Sequence, residues 1–504
     1  MDNTVNNSKK ELSFSKSILW ISFANILGRL LAFISGIVVA RILCPDDFGI
    51  ISMAATFSGF IEFTGNMGIE AFLISRTEIS KEQINTVYLL NIIIGFLFGL
   101  IMVLASGFVA DIYKTPEVKN ILYFSGLSFF AVSFGAVPRA ILLKQMRQDI
   151  TSKIEITRNF LNVSLVIIFA LSGFKYLSYV IPLLISNVIT VCLYNYAIKW
   201  KFVKLWNKDF LLQAVSYAKS FLPKSVLGYI VFNSDYIFVG WLLGKNLLGY
   251  YYFGFEKAFI LIVFTTSLMY STFFPVFSNI QKDKEKLQKT FFSLIEKSSF
   301  FLYPLIFIQI FMAKEFIDLI YGHKWDNSVL TFQLILCYCF SRVVVLIISI
   351  LFDSTGRPEQ NLRHYLIATP VCAIFFLAGT YFGGLKGVSI AAFIAHSICA
   401  ILLYIRVSKV FDWNFTSILV KSLKAFMPIL AMLPVLIFLR AVLINKVSDL
   451  LMLIIITLAS FTLYLYFTKL LLNNIYISTF LPIKQKMISK INVFLIKEYA
   501  NEEN

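Results

Sequence analysis

Long apolar stretches, separated by short polar segments, follow one another along the chain from Ser17 to Leu472. Each stretch has about twenty residues, which as an α-helix is enough to cross a hydrocarbon layer of about 30 Å. Backbone polar groups meet no water in such a layer, so the pattern predicts helices. The fold class is therefore all-α, a polytopic membrane protein of about fourteen transmembrane helices. Their predicted positions are 17–40, 48–70, 84–110, 121–141, 156–173, 177–197, 221–242, 251–278, 292–313, 328–352, 366–382, 385–405, 425–443 and 449–471.

Composition supports this fold class and narrows the choice of partners. Of the 504 residues, 58% are hydrophobic and 14% are charged, which leaves too little charge to cover a soluble domain. The net charge of +17 would suit nucleic acid, but the basic residues are spread over short loops rather than gathered on one domain. We therefore expect a lipid bilayer around the chain and no nucleic-acid partner.

The distribution of basic residues predicts the orientation. With the N-terminus inside, 31 of the 45 Lys and Arg residues fall in or beside the inside segments, and 10 fall in the outside loops. The other four lie within spans. Because basic residues favour the cytoplasmic side, we predict a multi-pass protein of the bacterial inner membrane with both termini cytoplasmic.

The sequence also contains an internal repeat. Residues 41–49 align with 241–249 at an offset of 200, and residues 173–194 align with 383–404 at an offset of 210. Six spans per copy is an even number, so the copies have the same orientation and are parallel repeats, an arrangement that places a transported substrate at their interface. We predict an N-lobe with helices 1–6 (12–200), a C-lobe with helices 7–12 (212–408), two appended helices (421–472) and a basic amphipathic cytoplasmic tail (473–504).

Charged residues within spans are the candidate site residues, because each costs roughly 2.5–3.5 kcal/mol at the centre of a span. Several cations in one cavity suit an anionic substrate, and arginine binds phosphate in bidentate fashion. We assign substrate contacts in the cavity to four cations: Arg29, Lys224, Lys257 and Arg342. We assign ion coupling or charge pairing to three carboxylates: Glu62, Asp235 and Glu256.

Each of these residues also has a structural alternative. Lys224 lies close to the end of its span, where a lysine can extend to the interface. Glu256 and Lys257 could lie at the outer interface, and Glu62 with Arg29 could form a structural pair between helices.

No motif in the sequence indicates catalysis. There is no phosphate-binding loop, which argues against direct use of ATP, and no loop is long enough to form a catalytic domain. We expect no catalytic residues, no metal site and no cofactor, with Na⁺ or H⁺ as candidate coupling ions. The six cysteines lie in or beside apolar runs and are expected to be packing residues rather than disulfides.

Four segments resemble a known family. Val39–Ala54 resembles the first-loop signature of Wzx-like bacterial polysaccharide flippases, which belong to the multidrug/oligosaccharidyl-lipid/polysaccharide exporter superfamily. Gly68–Ile74 is similar to the family's end of span 2, and Pro138–Arg147 to its loop between spans 4 and 5. Asp235 with the segment Gly240–Tyr251 resembles the start of the family's second half. The resemblance covers residues 12–410.

This resemblance implies a function. The family's members flip undecaprenyl-pyrophosphate-linked oligosaccharide repeat units to the periplasmic leaflet by alternating access, for O-antigen, capsule or exopolysaccharide assembly. It also implies a polysaccharide polymerase and a chain-length regulator as candidate partners. The second copy lacks the acidic pair Asp46 and Asp47 of the first. These two residues are therefore expected to cap span 2 rather than to serve a symmetric function.

Three other functions stay open at this point. A lipid II flippase and a cation-coupled drug antiporter belong to the same superfamily, although a drug antiporter would favour an acidic cavity. A polysaccharide polymerase or ligase should carry a large periplasmic loop with catalytic residues, and no loop of that size occurs.

Overall fold

The computed structural model contains helices and no strand in the part of the chain that it describes. That part comprises residues 27–65, 72–73, 76, 79–198, 206–444 and 446–479, with the side chains of 63–65, 218–225 and 478–479 outside it. The first helices are α1 (27–42), α2 (Pro45–Gly65), α3 (Lys81–Tyr113), α4 (Glu117–Lys144), α5 (Gln148–Leu171), α6 (Leu177–Ile198) and α7 (Lys208–Ile280). The later ones are α8 (Lys284–Phe311), α9 (Ala313–Tyr321), a 3₁₀ turn (His323–Ser328), α10 (Val329–Ser354), α11 (Glu359–Phe411), α12 (Phe415–Leu423), α13 (Phe426–Leu443), α14 (Asp449–Leu471) and α15 (Asn473–Thr479).

The all-α membrane fold predicted from the sequence is confirmed. Ten of the described helical segments are long and apolar enough to cross a membrane. Two of the helices hold two predicted spans each, because α7 breaks at Gly244 (φ 78°) and α11 breaks at Gly384 (φ 55°). Glycine adopts positive φ without a Cβ clash, so each of these positions separates two spans. Each of the fourteen predicted spans coincides with helical residues in the described part of the chain.

Residue contacts divide the chain into two compact units. The first comprises residues 1–254, 321–328 and 365–395, and the second comprises 255–320, 329–364 and 396–504. The predicted lobes at 12–200 and 212–408 follow the internal repeat instead, and they stay predictions. Of the predicted tail, α15 is described, and residues 480–504 lie outside the described part.

In the first unit, α4 packs against α3 and α6 through polar contacts to the backbone. The amide of Asn91 on α3 donates to the carbonyl of Ser133 at 2.6 Å. The amide of Asn195 on α6 donates to the carbonyl of Phe134 at 3.1 Å. Such bonds favour helix association in a membrane, where a polar side chain has no water to bond.

In the second unit, α13 is attached to α8 and α9 by ion pairs at both of its own ends. Glu296 of α8 lies 3.6 Å from Lys421 Nζ and 3.3 Å from Lys424 Nζ, which lie on and just after α12. At the other end, Arg440 of α13 pairs with Glu315 of α9, which follows α8 directly. The Arg440 Nη1 also donates to the carbonyl of Phe311 at 3.2 Å. α13 is therefore held by ion pairs to the middle of α8 and to α9.

The turn before α2 shows how this helix begins. Pro45 is its first residue, a position where proline loses no hydrogen bond. The Asp47 carboxylate accepts from the Cys44 backbone N–H at 3.1 Å and from the Cys44 thiol at 3.0 Å. This bond from the third helical residue back to the cap residue is one half of a capping box. The capping role predicted for the acidic pair is confirmed for Asp47.

Asp46 has a different role from the predicted one, because it contacts the second copy of the repeat. Its Oδ1 accepts from Asn246 Nδ2 at 2.6 Å, and the two residues are 200 positions apart. A Cβ at Gly49 would lie 1.8 Å from the carbonyl oxygen of Lys245, and a Cβ at Gly249 would lie 1.8 Å from that of Pro45. Gly49 of the first copy contacts Lys245 of the second, and Gly249 of the second contacts Pro45 of the first. Such reciprocal contacts between equivalent positions indicate a local two-fold symmetry. The predicted repeat at offset 200 is confirmed in space.

Candidate functional site

A charged cluster on three membrane-crossing helices of the first unit is the candidate site. Glu155 of α5 lies at its centre. Its Oε2 is 3.2 Å from Arg158 Nη1 on the same helix, and its Oε1 is 3.6 Å from Arg139 Nε on α4. The Tyr194 hydroxyl of α6 donates to Oε1 at 2.8 Å. Two guanidinium groups therefore share one carboxylate, and the three side chains carry a formal net charge of +1.

Hydrogen bonds behind the cluster fix the orientation of Arg158. Its Nε donates to Asn187 Oδ1 at 3.2 Å, and Asn187 Nδ2 donates to the Ser128 hydroxyl at 2.8 Å. Asn187 and Ser128 are buried. The Arg158 guanidinium plane is thus held by a network that runs through α6 to α4, as a preorganised binding group requires.

The cluster is partly exposed at the surface of the protein, although it lies on apolar helices. The side chains of Arg139, Glu155 and Arg158 are 40%, 29% and 35% exposed. A charged group on a membrane-crossing helix is stable where it lines a water-filled cavity. The three side chains are therefore accessible to a ligand.

Two of the residues singled out from the sequence lie beside this cluster. Arg29 of α1 is half-buried. A Cβ on its neighbour Gly28 would lie 2.5 Å from Asn159 Nδ2, so α1 contacts α5 within one residue of Arg158. The Glu62 carboxylate of α2 is exposed and interacts electrostatically with Arg158. The structure therefore places Arg29 of α1 and Glu62 of α2 near the same helix, α5.

Asp235, by contrast, lies inside the packing of α7. It is 1% exposed, and its Oδ2 accepts from the Tyr251 hydroxyl at 2.8 Å. Its Oδ1 accepts from the Tyr236 backbone N–H at 3.0 Å. The carboxylate thus joins the two parts of α7 across the break at Gly244. The side chain of Lys224 lies outside the described part of the structure.

The other three predicted site residues belong to the second unit. Glu256 is exposed and Lys257 is half-buried, and the two neighbours attract each other electrostatically. Arg342 of α10 is half-buried and interacts electrostatically with His364 and His396. The second unit therefore has its own cationic position.

His396 contributes to packing in the same region. Its ring is buried and stacks on Tyr338, with 4.6 Å between ring centroids. Phe255 meets the imidazole edge-on at 6.4 Å. An aromatic layer thus lies beside Arg342.

Sequence reasoning missed the central residues of the cluster. The predicted spans 121–141 and 156–173 leave Glu155 in the loop between them, with Arg139 and Arg158 as basic residues beside that inside loop. In the structure this loop is short, because α4 continues to Lys144 and α5 begins at Gln148. The Glu155–Arg158 spacing of three residues, which places both side chains on one helix face, is the signal that could have identified them.

One end of the first unit is closed by contacts between its turns. Trp325 of the 3₁₀ turn donates from Nε1 to the carbonyl of Ala40 at 3.0 Å. Its ring stacks on Phe253 with 3.8 Å between ring centroids. Lys324 Nζ donates to the carbonyl of Leu43 at 2.6 Å. A buried, aromatic contact thus covers the turn between α1 and α2.

Further along α2, the buried part of the helix ends before Glu62. The Tyr229 hydroxyl of α7 donates to the carbonyl of Thr56 at 2.8 Å. Every residue of α2 from Pro45 to Ile61 is buried or half-buried, and Glu62 is exposed. Six residues of helix span about 9 Å. Glu62 therefore lies about 9 Å along α2 from the Thr56 contact, on the side away from the turn.

The long apolar helices and the internal repeat together define a polytopic membrane protein. Among solved structures, the chain is similar to the lipid II flippase MurJ in an inward closed conformation, with a TM-score of 0.73 at 16% identity over 91% of this chain and 99% of that one. This likeness establishes the fold.

Sequence comparisons then give the family. The family model described as polysaccharide biosynthesis protein matches residues 38–330, and the chain belongs to that family. It is 25% identical to an uncharacterised membrane protein in the cps region of Klebsiella pneumoniae, over 79% of this chain and 83% of that protein. It is 21% identical to the lipopolysaccharide biosynthesis protein WzxC of Escherichia coli K12, over 77% and 80%. The resemblance seen in the sequence motifs is confirmed.

Proposed function

We propose that the protein flips undecaprenyl-pyrophosphate-linked oligosaccharide repeat units from the cytoplasmic to the periplasmic leaflet of the bacterial inner membrane. The observation that carries this proposal is the exposed cluster of Arg139, Glu155 and Arg158 on membrane-crossing helices. A guanidinium pair with excess positive charge suits a pyrophosphate, whose oxygens accept bidentate hydrogen bonds. Arg29 of the neighbouring α1 extends the basic surface of the first unit. Arg342 and Lys257 of the second unit are proposed as further substrate contacts.

Alternating access supplies the mechanism in this proposal. The turns between α1 and α2 and at Gly244 belong to the predicted periplasmic side, since the basic loops orient the other side toward the cytoplasm. With those turns in contact, the cluster is open toward the cytoplasmic leaflet, where lipid-linked units are made. Both termini are then cytoplasmic. Separation of the turns would open the site to the other leaflet.

The names of the relatives support a polysaccharide substrate over lipid II. One sequence relative is named for the cps region and another for lipopolysaccharide biosynthesis, whereas the lipid II name comes from a fold likeness at 16% identity. A polymerase and a chain-length regulator that receive the flipped units are proposed partners. A drug antiporter is disfavoured, because its cationic substrate would meet a cluster of net positive charge.

Ion coupling, if transport uses it, is assigned to Glu62 rather than Asp235. Glu62 is exposed next to Arg158, so Na⁺ or H⁺ can reach it from the cavity, whereas Asp235 is buried against Tyr251. Transport in vesicles with an imposed Na⁺ or pH gradient tests this assignment. Glu62→Gln should abolish the gradient's effect, and Asp235→Asn should leave it in place.

The main test is a strain that lacks this protein. We expect surface polysaccharide to disappear and undecaprenyl-linked single units to accumulate on the cytoplasmic leaflet. The wild-type gene should restore export, Arg158→Gln should not, and Lys289→Gln on the exposed end of α8 should restore it as the wild type does. Accumulation of units on the periplasmic leaflet would instead indicate a polymerase or ligase, and loss of viability would indicate a lipid II flippase.

A further inference from the structure

Glu155 places a carboxylate where the proposed function would place the pyrophosphate of the substrate. Its two oxygens bind Arg158, Arg139 and Tyr194, the donors that line the exposed cluster. A phosphate oxygen and a carboxylate oxygen accept hydrogen bonds from the same donors with similar geometry. The side chain of Glu155 therefore occupies the position of a substrate anion.

Arg158 retains donors for a second ligand. Its described hydrogen bonds use Nε toward Asn187 and Nη1 toward Glu155, and its Nη2 makes none within the described part of the chain. A guanidinium carries five N–H donors in a planar fork. A phosphate can therefore bind first at Nη2 and then displace Glu155 from Nη1, while Asn187 keeps the plane in position.

Glu155 has its own anchor in the absence of Arg158. The Tyr194 hydroxyl is buried and donates to Oε1 at 2.8 Å, at the shortest distance in the cluster. When an anion takes Arg158, the carboxylate keeps this neutral partner and its contact with Arg139. The exchange leaves no charged group without a partner, which keeps its cost low.

We infer that Glu155 is a positioning residue that competes with the substrate pyrophosphate for Arg158, so that the anion binds and is later released. This inference rests on the proposed function, because it assumes a pyrophosphate substrate. A translocation site must release what it binds. In the empty site, Glu155 neutralises Arg158, and its return to Arg158 displaces the substrate after the opposite side opens.

The test is binding of undecaprenyl pyrophosphate to the purified full-length protein in detergent, with export measured in cells. We expect Arg158→Gln to weaken binding at least tenfold. Glu155→Gln should bind undecaprenyl pyrophosphate about tenfold more tightly, because the charged hydrogen bond of Glu155 with Arg158 no longer competes with the ligand. Export should fall in the same variant. Glu155→Asp, which keeps the charge, should restore export. Glu296→Gln, which removes another carboxylate that holds two cations, is the control and should bind as the wild type does.

The outcomes separate the two proposals. If the wild type binds and Arg158→Gln does not, but Glu155→Gln binds equally or more weakly, Glu155 is only a brace and the inference is overturned while the proposed function stands. If the wild type binds no undecaprenyl pyrophosphate, both are overturned.

A second variant decides the question if Glu155→Gln does not fold. Tyr194→Phe keeps both charges and removes the neutral anchor, so the carboxylate competes more strongly for Arg158. We expect binding of the lipid to weaken about threefold, which corresponds to a neutral hydrogen bond of about 0.6 kcal/mol. Equal or tighter binding by Tyr194→Phe would overturn the inference.

Discussion

Lys245 of α7 and Glu117 of α4 form an ion pair with 2.8 Å between Nζ and Oε1. The two residues are 128 positions apart, and each side chain is about a third exposed. The pair lies beside the contact of Asp46 with Asn246, because Lys245 and Asn246 are neighbours. It therefore joins the second copy of the repeat to a helix of the first, at the closed end of the unit.

Reversal of one charge in this pair should weaken the closed end. Glu117→Lys places two cations together, and we expect the protein to be less stable by about 1 kcal/mol, the upper range for an exposed pair. The double variant with Lys245→Glu should recover most of the loss. Thermal unfolding in detergent measures both effects. Reversal of Lys289, whose pair with Glu285 is 76% exposed, is the control and should change little. A double variant as unstable as the single one would refute the pairing.

The close approach at Gly49 predicts intolerance to a methyl group. Because a Cβ there would lie 1.8 Å from the Lys245 carbonyl, Gly49→Ala should force α2 and α7 apart. We expect a loss of stability of about 1–3 kcal/mol, typical of overpacking. Gly107→Ala on α3 is the control, since nothing lies within 4 Å of its Cβ position. It should leave the unfolding temperature unchanged or raise it, and equal losses in both variants would contradict the contact.

The cations predicted from the sequence should matter for export and not for insertion. Arg29→Ala and Arg342→Ala should each reduce surface polysaccharide several-fold while membrane levels of the protein stay normal, since both residues are half-buried and can face a cavity. The exposed Lys282→Ala is the matched control. Export at the wild-type level from both arginine variants would remove them from the site.

The ion pair of Arg440 with Glu315 should hold the appended hairpin. The Glu315 side chain is 10% exposed, so Arg440→Met leaves a largely buried carboxylate without its cation. We expect a loss on the order of 3 kcal/mol. Lys446→Met, in the exposed turn after α13, should cost almost nothing. Protease cleavage between α13 and α14, read by mass spectrometry, should increase only in the Arg440 variant.

Cys44 provides a test of both the turn and its orientation. Burial, followed by the hydrogen bond to Asp47, raises the pKa of the Cys44 thiol above its ordinary value. Its thiolate fraction at pH 8 is therefore below that of a free cysteine, and alkylation should be slow and should accelerate as the pH rises. Asp47→Asn lowers the pKa and should speed the reaction at pH 8.

The measurement of Cys44 needs a variant in which the other five cysteines are alanine. A membrane-impermeant maleimide should label Cys44 from the periplasmic side of intact cells. Labelling from inverted vesicles alone would reverse the predicted topology.

The fold was predictable because the hydropathy pattern that defines membrane helices can be seen directly in the sequence. The site depends on which side chains are exposed and which helices pack together, and these are set by the folded structure. Spans, the repeat and the cap at Asp47 follow from local patterns of apolar residues and turn residues. The position of Glu155 on a helix did not follow from the sequence. The polar segment between Arg139 and Arg158 is compatible both with a loop and with the first turns of a helix. The burial of Asp235 could not be predicted for a similar reason, because only the folded α7 shows that Tyr251 covers it.

The contact of Asp46 with Asn246 bears on how such a chain could arise by duplication. In a dimer of identical six-span halves, this position would bring two aspartates within hydrogen-bond distance, where like charges repel. A single chain with two copies can hold aspartate in one and asparagine in the other, so that one side accepts and the other donates. Fusion of the halves thus permits a pairing that self-association of one half could not provide.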